Sequence, residues 1–243
     1  MKANVLYLHG WGLHGGVWDA VRAVVPGEAP DLPGYGVTPS MRPYTAEGLA
    51  DALAKMLTAP SVVVGWSMGG MVALALAARH PHKVSRLVLV GSTPCFVARD
   101  DWPHGMSALT LAAFAADLQR DYRATLQRFL ALQARGGDAA REVVVQLRAG
   151  LRARAEPSPE TLAAGLELLR GVDLRAAIAG VSCPTLLLHG AYDTLCPAAA
   201  AEWLAVRLHD ASLALHAQAS HAPFLSHPAW FNAALRDFVE ATA

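Results

Sequence analysis

The sequence is poor in cysteine, in lysine and in long apolar runs, and each shortage excludes a class of protein. Three cysteines stand in 243 residues, Cys95, Cys183 and Cys196. An odd number at unrelated spacings makes neither a disulfide framework nor a zinc pattern, and no metal site is expected. None belongs to a Cys-His motif, so reduced structural thiols are expected rather than reactive ones. Lysine occurs three times against seventeen arginines, so the identity of a basic residue means little and clustering means more. Charged residues are 16% and apolar residues 53%, the reverse of a disordered chain. The best apolar stretch, Met71–Ala78, is far short of the eighteen or more residues of a membrane span. The N-terminal apolar stretch runs at once into His9-Gly10-Trp11-Gly12, without the longer apolar region and small-residue cleavage site of a signal peptide. A cytoplasmic protein with no membrane or nucleic-acid partner is expected.

What is present is an alternation of strand and helix signals, interrupted once. Short apolar strand-formers cover Asn4–Leu8, Ser61–Val64, Arg86–Val90, Thr185–Leu188 and Ser212–His216. The β-branched run at Ser61–Val64 is the pattern of a strand buried on both faces of a parallel sheet. Helices are predicted over Val17–Val25, from Thr45, over Met68–His80, near Ala198–Leu208 and from Pro228. Between Pro94 and Gly180 the chain reads only as helices, at Leu109–Leu118, Tyr122–Ala134, Ala139–Arg154 and Pro159–Leu169. The economical architecture is an α/β fold with a mostly parallel sheet and an inserted all-helical lid: core at 1–93 and 182–243, lid at 94–181.

Gly65-Trp66-Ser67-Met68-Gly69-Gly70 lies between a buried strand and a helix. That is the context of a nucleophile elbow, where a serine on a sharp, strained turn needs neighbours without side chains. A serine hydroxyl is a weak nucleophile until a base takes its proton. The partners are expected later in the chain, in the order acid then histidine. Asp193 follows the strand Thr185–Leu188, and His221 lies between the last strand and the last helix. Ser67, Asp193 and His221 thus all stand at carboxyl ends of strands, where open α/β sheets place their sites. Among the rivals, Asp210 lies at the wrong edge of the sheet, Asp173 reads as a helix cap and His227 as helix-entry structure. Two backbone N–H groups must face the developing oxyanion. Met68, after the nucleophile, and Trp11, in the loop after the first strand, are the candidates. His9 is expected to be a structural hydrogen-bonding residue, and His80-Pro81-His82 a helix terminus.

The charge is uneven although it sums to zero. From Arg120 to Arg154 eight arginines face three acids, so this segment is suited to something acidic. Arg141, Arg148 and Arg152 recur at i, i+7 and i+11, which puts them on one helix face. A merely solvated face is the competing explanation.

The chain resembles the pimeloyl-[acyl-carrier protein] methyl ester esterases of biotin synthesis, a family of α/β-hydrolases. The resemblance rests on His9-Gly10-Trp11-Gly12-Leu13, Asp31-Leu32-Pro33-Gly34-Tyr35-Gly36 and the elbow, which many α/β-hydrolases share. It rests more specifically on Ser92-Thr93-Pro94-Cys95-Phe96-Val97-Ala98-Arg99-Asp100-Asp101-Trp102-Pro103 and Arg128-Phe129-Leu130-Ala131-Leu132-Gln133, which fall in the insertion. It implies a carboxylesterase that frees the pimeloyl carboxylate on acyl carrier protein, without a cofactor and as a monomer. It implies that Phe129 and Gln133 contact the acyl chain together with Trp11, Ser67, Met68 and His221. It also implies carrier-binding arginines: Arg128 and Arg141 match such positions, while Ala124 and Val145 stand where two others align, with Arg123 and Arg148 nearby. An N-terminal edge strand of the family is not matched by this sequence. The alternatives are a generalist esterase for short soluble esters, with the same triad, and a non-catalytic receptor on a hydrolase fold.

Overall fold

The computed structural model describes residues 4–241. Five parallel strands form one sheet in the order β1 (Val5–Leu8), β2 (Ser61–Trp66), β3 (Val84–Val90), β4 (Thr185–Gly190) and β5 (Ala211–His216). All of β1, β2 and β4 is buried, as unbroken apolar runs require when both faces are covered. At the edge, β5 is only half-buried. From β1 the chain moves outward, where Glu28 pairs with the free edge at Leu6, and then crosses back to form β2 on the other side. The direction of winding therefore reverses at β1, the kind of switch point at which α/β sheets open a crevice.

Helices cover the sheet: α1 (Asp19–Arg22), α2 (Ala46–Met56), α3 (Met68–Arg79), α8 (Ala198–Arg207) and α10 (Pro228–Glu240). Buried through its first ten residues, α3 packs so tightly that a side chain at Gly69 would strike the carbonyl oxygens of Leu8 and His9. Between β3 and β4 the described residues form α4 (Ala108–Arg120), α5 (Tyr122–Leu132), α6 (Ala140–Arg152) and α7 (Pro159–Gly171). Asp121 caps α5 through the Ala124 N–H, and Ser158 caps α7 with Pro159 in its first turn. The two ends of this excursion meet, where the Leu174 N–H donates to the Pro94 carbonyl at 2.8 Å and Cys95 pairs with Asp173.

One expectation is corrected, and one element is added. The helix predicted over Val17–Val25 is a 3₁₀ turn at Gly15–Trp18 followed by the single turn of α1, because the chain must bend back to run beside β1. A one-turn helix α9 (Pro223–Ser226) precedes α10 in the loop after β5, too short to leave a periodic signal.

Candidate active site

Ser67 sits at the junction of β2 and α3 with φ 55° and ψ −121°, alone among the described non-glycine residues in having positive φ. Such a conformation costs on the order of 1–3 kcal/mol and persists only where its surroundings hold it. Here the Ser67 N–H donates to the Val90 carbonyl at 3.0 Å, and the Ser92 hydroxyl donates to the Ser67 carbonyl at 2.9 Å. Any side chain at Gly65 would meet the backbone of Gly69 and Gly70. The elbow can form only with glycine there.

Asp193 and His221 come together 28 residues apart in sequence. Asp193 Oδ1 accepts from the backbone N–H groups of Leu195 and Cys196, each at 2.9 Å, which fixes the carboxyl rotation. Its Oδ2 then faces His221 Nδ1 at 2.7 Å, with both side chains buried. Donation from Nδ1–H leaves Nε2 as the acceptor nitrogen. That nitrogen is buried and has no partner among the described residues. The residue before Ser67 ties the two loops together, since the Trp66 indole N–H donates to the His221 carbonyl at 2.8 Å. From the insertion, the Gln133 carbonyl accepts the His221 N–H at 3.1 Å.

Gly10 packs against Ser67 so closely that a Cβ there would stand 3.2 Å from the serine Cβ. The loop after β1 thus borders the elbow, and neither the Trp11 nor the Met68 N–H donates to a protein acceptor among the described residues. His9 below them is fully buried; its Nε2 accepts from the Leu32 N–H at 2.9 Å and its Nδ1 donates to the Gly10 carbonyl at 2.8 Å. Burial lowers its pKa to about 4, so it stays neutral and braces the loop.

The Trp11 ring meets Phe129 edge to face at 4.7 Å, and its indole N–H donates to the Leu162 carbonyl of α7. The buried Gln133 amide has neither its oxygen nor its nitrogen partnered among the described residues, a costly state for a closed site. The arginines divide. Arg123 is tied to Glu156 at 3.0 Å and Arg128 to Asp117 at 2.8 Å, whereas Arg141 and Arg148 lie exposed on α6 without an ion-pair partner among the described residues. Of the two arginines that match the family's positions, Arg128 is thus partly neutralised by an acid on α4 and Arg141 is not, while of the two nearby ones Arg123 is paired with an acid beyond α6.

The rival residues have other tasks. Asp173 accepts from Arg175 at 2.7 Å and 2.9 Å, and Asp210 offers its carbonyl to Thr185 at the opposite end of the sheet. His227 occupies the N-cap position of α10 without a side-chain capping bond and packs on the His216 ring at 3.7 Å. Sequence reasoning missed His189, whose Nε2 lies 2.7 Å from the Cys196 carbonyl and 3.4 Å from Asp193 Oδ2. It also missed His14, although the two glycines that follow it hint at a ring needing room.

The profile of the alpha/beta hydrolase family matches residues 5–234, and the chain belongs to that family. Within it the chain groups with proteins named pimeloyl-[acyl-carrier protein] methyl ester esterase. It is 50% identical to the one of Aromatoleum aromaticum over 236 residues, covering 93% of this chain and 94% of the relative. It is 43% identical to that of Nitrosomonas europaea, covering 94% and 92%. In fold it is similar to an esterase of Exiguobacterium antarcticum, with a TM-score of 0.89 at 24% identity, covering 98% of this chain and 92% of the other.

Proposed function

We infer that the chain is a serine carboxylesterase that hydrolyses the methyl ester of a pimeloyl group held on acyl carrier protein. The observation that carries the chemistry is the buried Asp193–His221 pair, which leaves Nε2 without a partner among the described residues, together with the strained backbone of Ser67. In this reading Ser67 Oγ attacks the ester carbonyl while His221 Nε2 takes its proton. The oxyanion forms against the N–H groups of Trp11 and Met68. His221 then protonates the departing methoxide, methanol leaves, and water repeats the sequence on the acyl-enzyme to free the carboxylate. Only protons and an acyl group move, so the steps call for no cofactor.

The substrate follows from the relatives' names, and two features of the chain support it. A groove of about 680 Å³ between α4 and α5 is lined by Leu109, Phe114 and Leu132, with Arg128 at its side. Phe114 meets Phe129 edge to face, and Phe129 meets Trp11, so packed aromatic rings connect the wall of the groove to the loop beside Ser67. Arg141 and Arg148 would face the acidic carrier. In this reading residues 94–181 form a lid, residues 1–93 and 182–243 the catalytic core, and the protein works as a cytoplasmic monomer. No helix among the described residues is long and apolar enough to cross a membrane. The pairing of Arg123 and Arg128 with acids favours a second reading, an esterase for small soluble esters. The ratio of kcat/KM for the carrier-bound and the free methyl ester distinguishes them. A ratio well above one is expected, and a ratio at or below one would leave the general esterase.

A further inference from the structure

The loop that bears Trp11 is joined to the helical insertion by a histidine to which the catalytic steps assign no task. His14 is buried, at 5% exposure, and both its ring nitrogens are bonded. Nδ1 accepts from the Gly16 N–H at 3.1 Å, so Nε2 carries the proton and donates to the Gly150 carbonyl at 2.7 Å. Gly150 lies in the last turn of α6, 136 residues further along the chain. A side chain at position 16 would collide with the imidazole, its Cβ 2.8 Å from Cε1.

The next residue repeats the arrangement. The Gly15 N–H donates to Asp31 Oδ1 at 2.8 Å, and Arg154, just beyond α6, donates to the same oxygen at 2.6 Å. The Asp31 side chain is 8% exposed, whereas that of Arg154 is 38% exposed, so the carboxylate end of this pair is shielded and the guanidinium end meets water. Two consecutive loop residues are thus tied to points about one helical turn apart at the end of α6. Around these bonds packing between loop and helix is incomplete, with a cleft of about 160 Å³ lined by His14, Gly16 and Gly150 themselves together with Leu13, Val17 and Leu147. Directional bonds join the two elements there.

We propose that His14 is a positioning residue for ester hydrolysis, whose ring couples the seating of α6 to the aim of the Trp11 N–H at the oxyanion. Histidine suits the task because it accepts at short reach and donates at long reach from one rigid plane, which no amide side chain does. The helix that shows Arg141 and Arg148 to solvent is then also the helix that braces the oxyanion loop. The proposal rests on Ser67 as nucleophile and Trp11 as oxyanion donor.

The test compares His14→Ala, His14→Gln, Arg154→Ala and Ser67→Ala. Each is assayed with p-nitrophenyl butyrate, with a fluorophosphonate that labels Ser67, and by thermal unfolding. His14→Ala should lower kcat about tenfold, less than loss of an oxyanion donor, with KM little changed and phosphonylation slowed to match. His14→Gln, which keeps a donor for Gly150 but not the short-reach acceptor for Gly16, should recover part of the loss. Arg154→Ala should lower kcat about threefold in the same manner. Wild-type kcat and labelling in His14→Ala, well below its Tm, would overturn the proposal and leave only a structural strut. A rise in KM at constant kcat would overturn it too, since that marks lost ground-state binding. Should His14→Ala fail to fold, unchanged kcat in Arg154→Ala would count against the proposal just as directly. An active Ser67→Ala would instead sink the esterase reading itself.

Discussion

The carboxyl end of the sheet and the outer face of the helical insertion treat polar groups in opposite ways. At the sheet, Ser67, Asp193 and His221 are buried, and backbone N–H groups and carbonyls hold each of them in one orientation. On the insertion, Arg123 and Arg128 are exposed and pair with acids, Glu156 beyond α6 and Asp117 on α4, while Arg141 and Arg148 have no ion-pair partner among the described residues. Buried groups cannot be moved without leaving partners unsatisfied, so they set what chemistry is possible. Exposed charges are screened and replaceable, so they tune encounter and affinity.

The largest effect should follow removal of the groups proposed to react. Ser67→Ala or His221→Ala should each lower kcat by about 10⁶, since triad members act as a unit. Activity above a hundredth of wild type in either variant would erase the contrast between the two regions. Asp193→Asn keeps the shape but favours the wrong imidazole tautomer, and a loss of about 10⁴ in kcat is expected. If Asp173→Asn were the damaging change instead, the acid would be misassigned.

A stability measurement sharpens the same contrast. His9 has an ordinary pKa of 6.5 when unfolded and about 4 when folded, because burial opposes its charge. The unfolded chain therefore binds the proton first. The stability held above pH 6.5 should fall as pH drops towards 4, by about 3 kcal/mol at full extent. Protonation would also cost Nε2 its role as acceptor for Leu32. Urea unfolding between pH 7 and pH 4 should show a steeper slope in wild type than in His9→Gln, which retains only the contribution of other buried histidines such as His189. An equal slope in both would place the sensitivity elsewhere.

The smallest effect belongs to the insertion. Arg141→Glu with Arg148→Glu should raise KM for the carrier-bound ester about tenfold, leave kcat and the free ester alone, and matter less at high salt. Arg128→Glu alone should do less, because Asp117 already occupies that guanidinium. Equal effects from the three positions, or a change in kcat, would mean that the outer face is no mere docking surface.

The sheet was legible because burial leaves a mark in local sequence. The β-branched run before Gly65 and the small residues after Ser67 allow only strand, tight turn and packed helix. The positions of Asp193 and His221 at strand ends were legible from chain order, since each follows a readable strand, and the structure brings the two side chains together. The one-turn helices α1 and α9 were not, because a single turn has no period to detect. The partners of Arg123 and Arg128 were not either: Glu156 is 33 residues from Arg123, and no local pattern announces such a pair.

By itself, then, the sequence determined which segments are strands and helices, where the turn with the serine falls, and which acid and histidine stand at strand ends. Those features depend on neighbours a few residues apart, whose apolar spacing and missing side chains are written locally. Only the tertiary structure decided which nitrogen of His221 faces Asp193, which arginines remain free, and that His14 reaches the Gly150 carbonyl. Those depend on atoms far apart in the chain coming within about 3 Å, and hydrogen bonds fade steeply beyond that range.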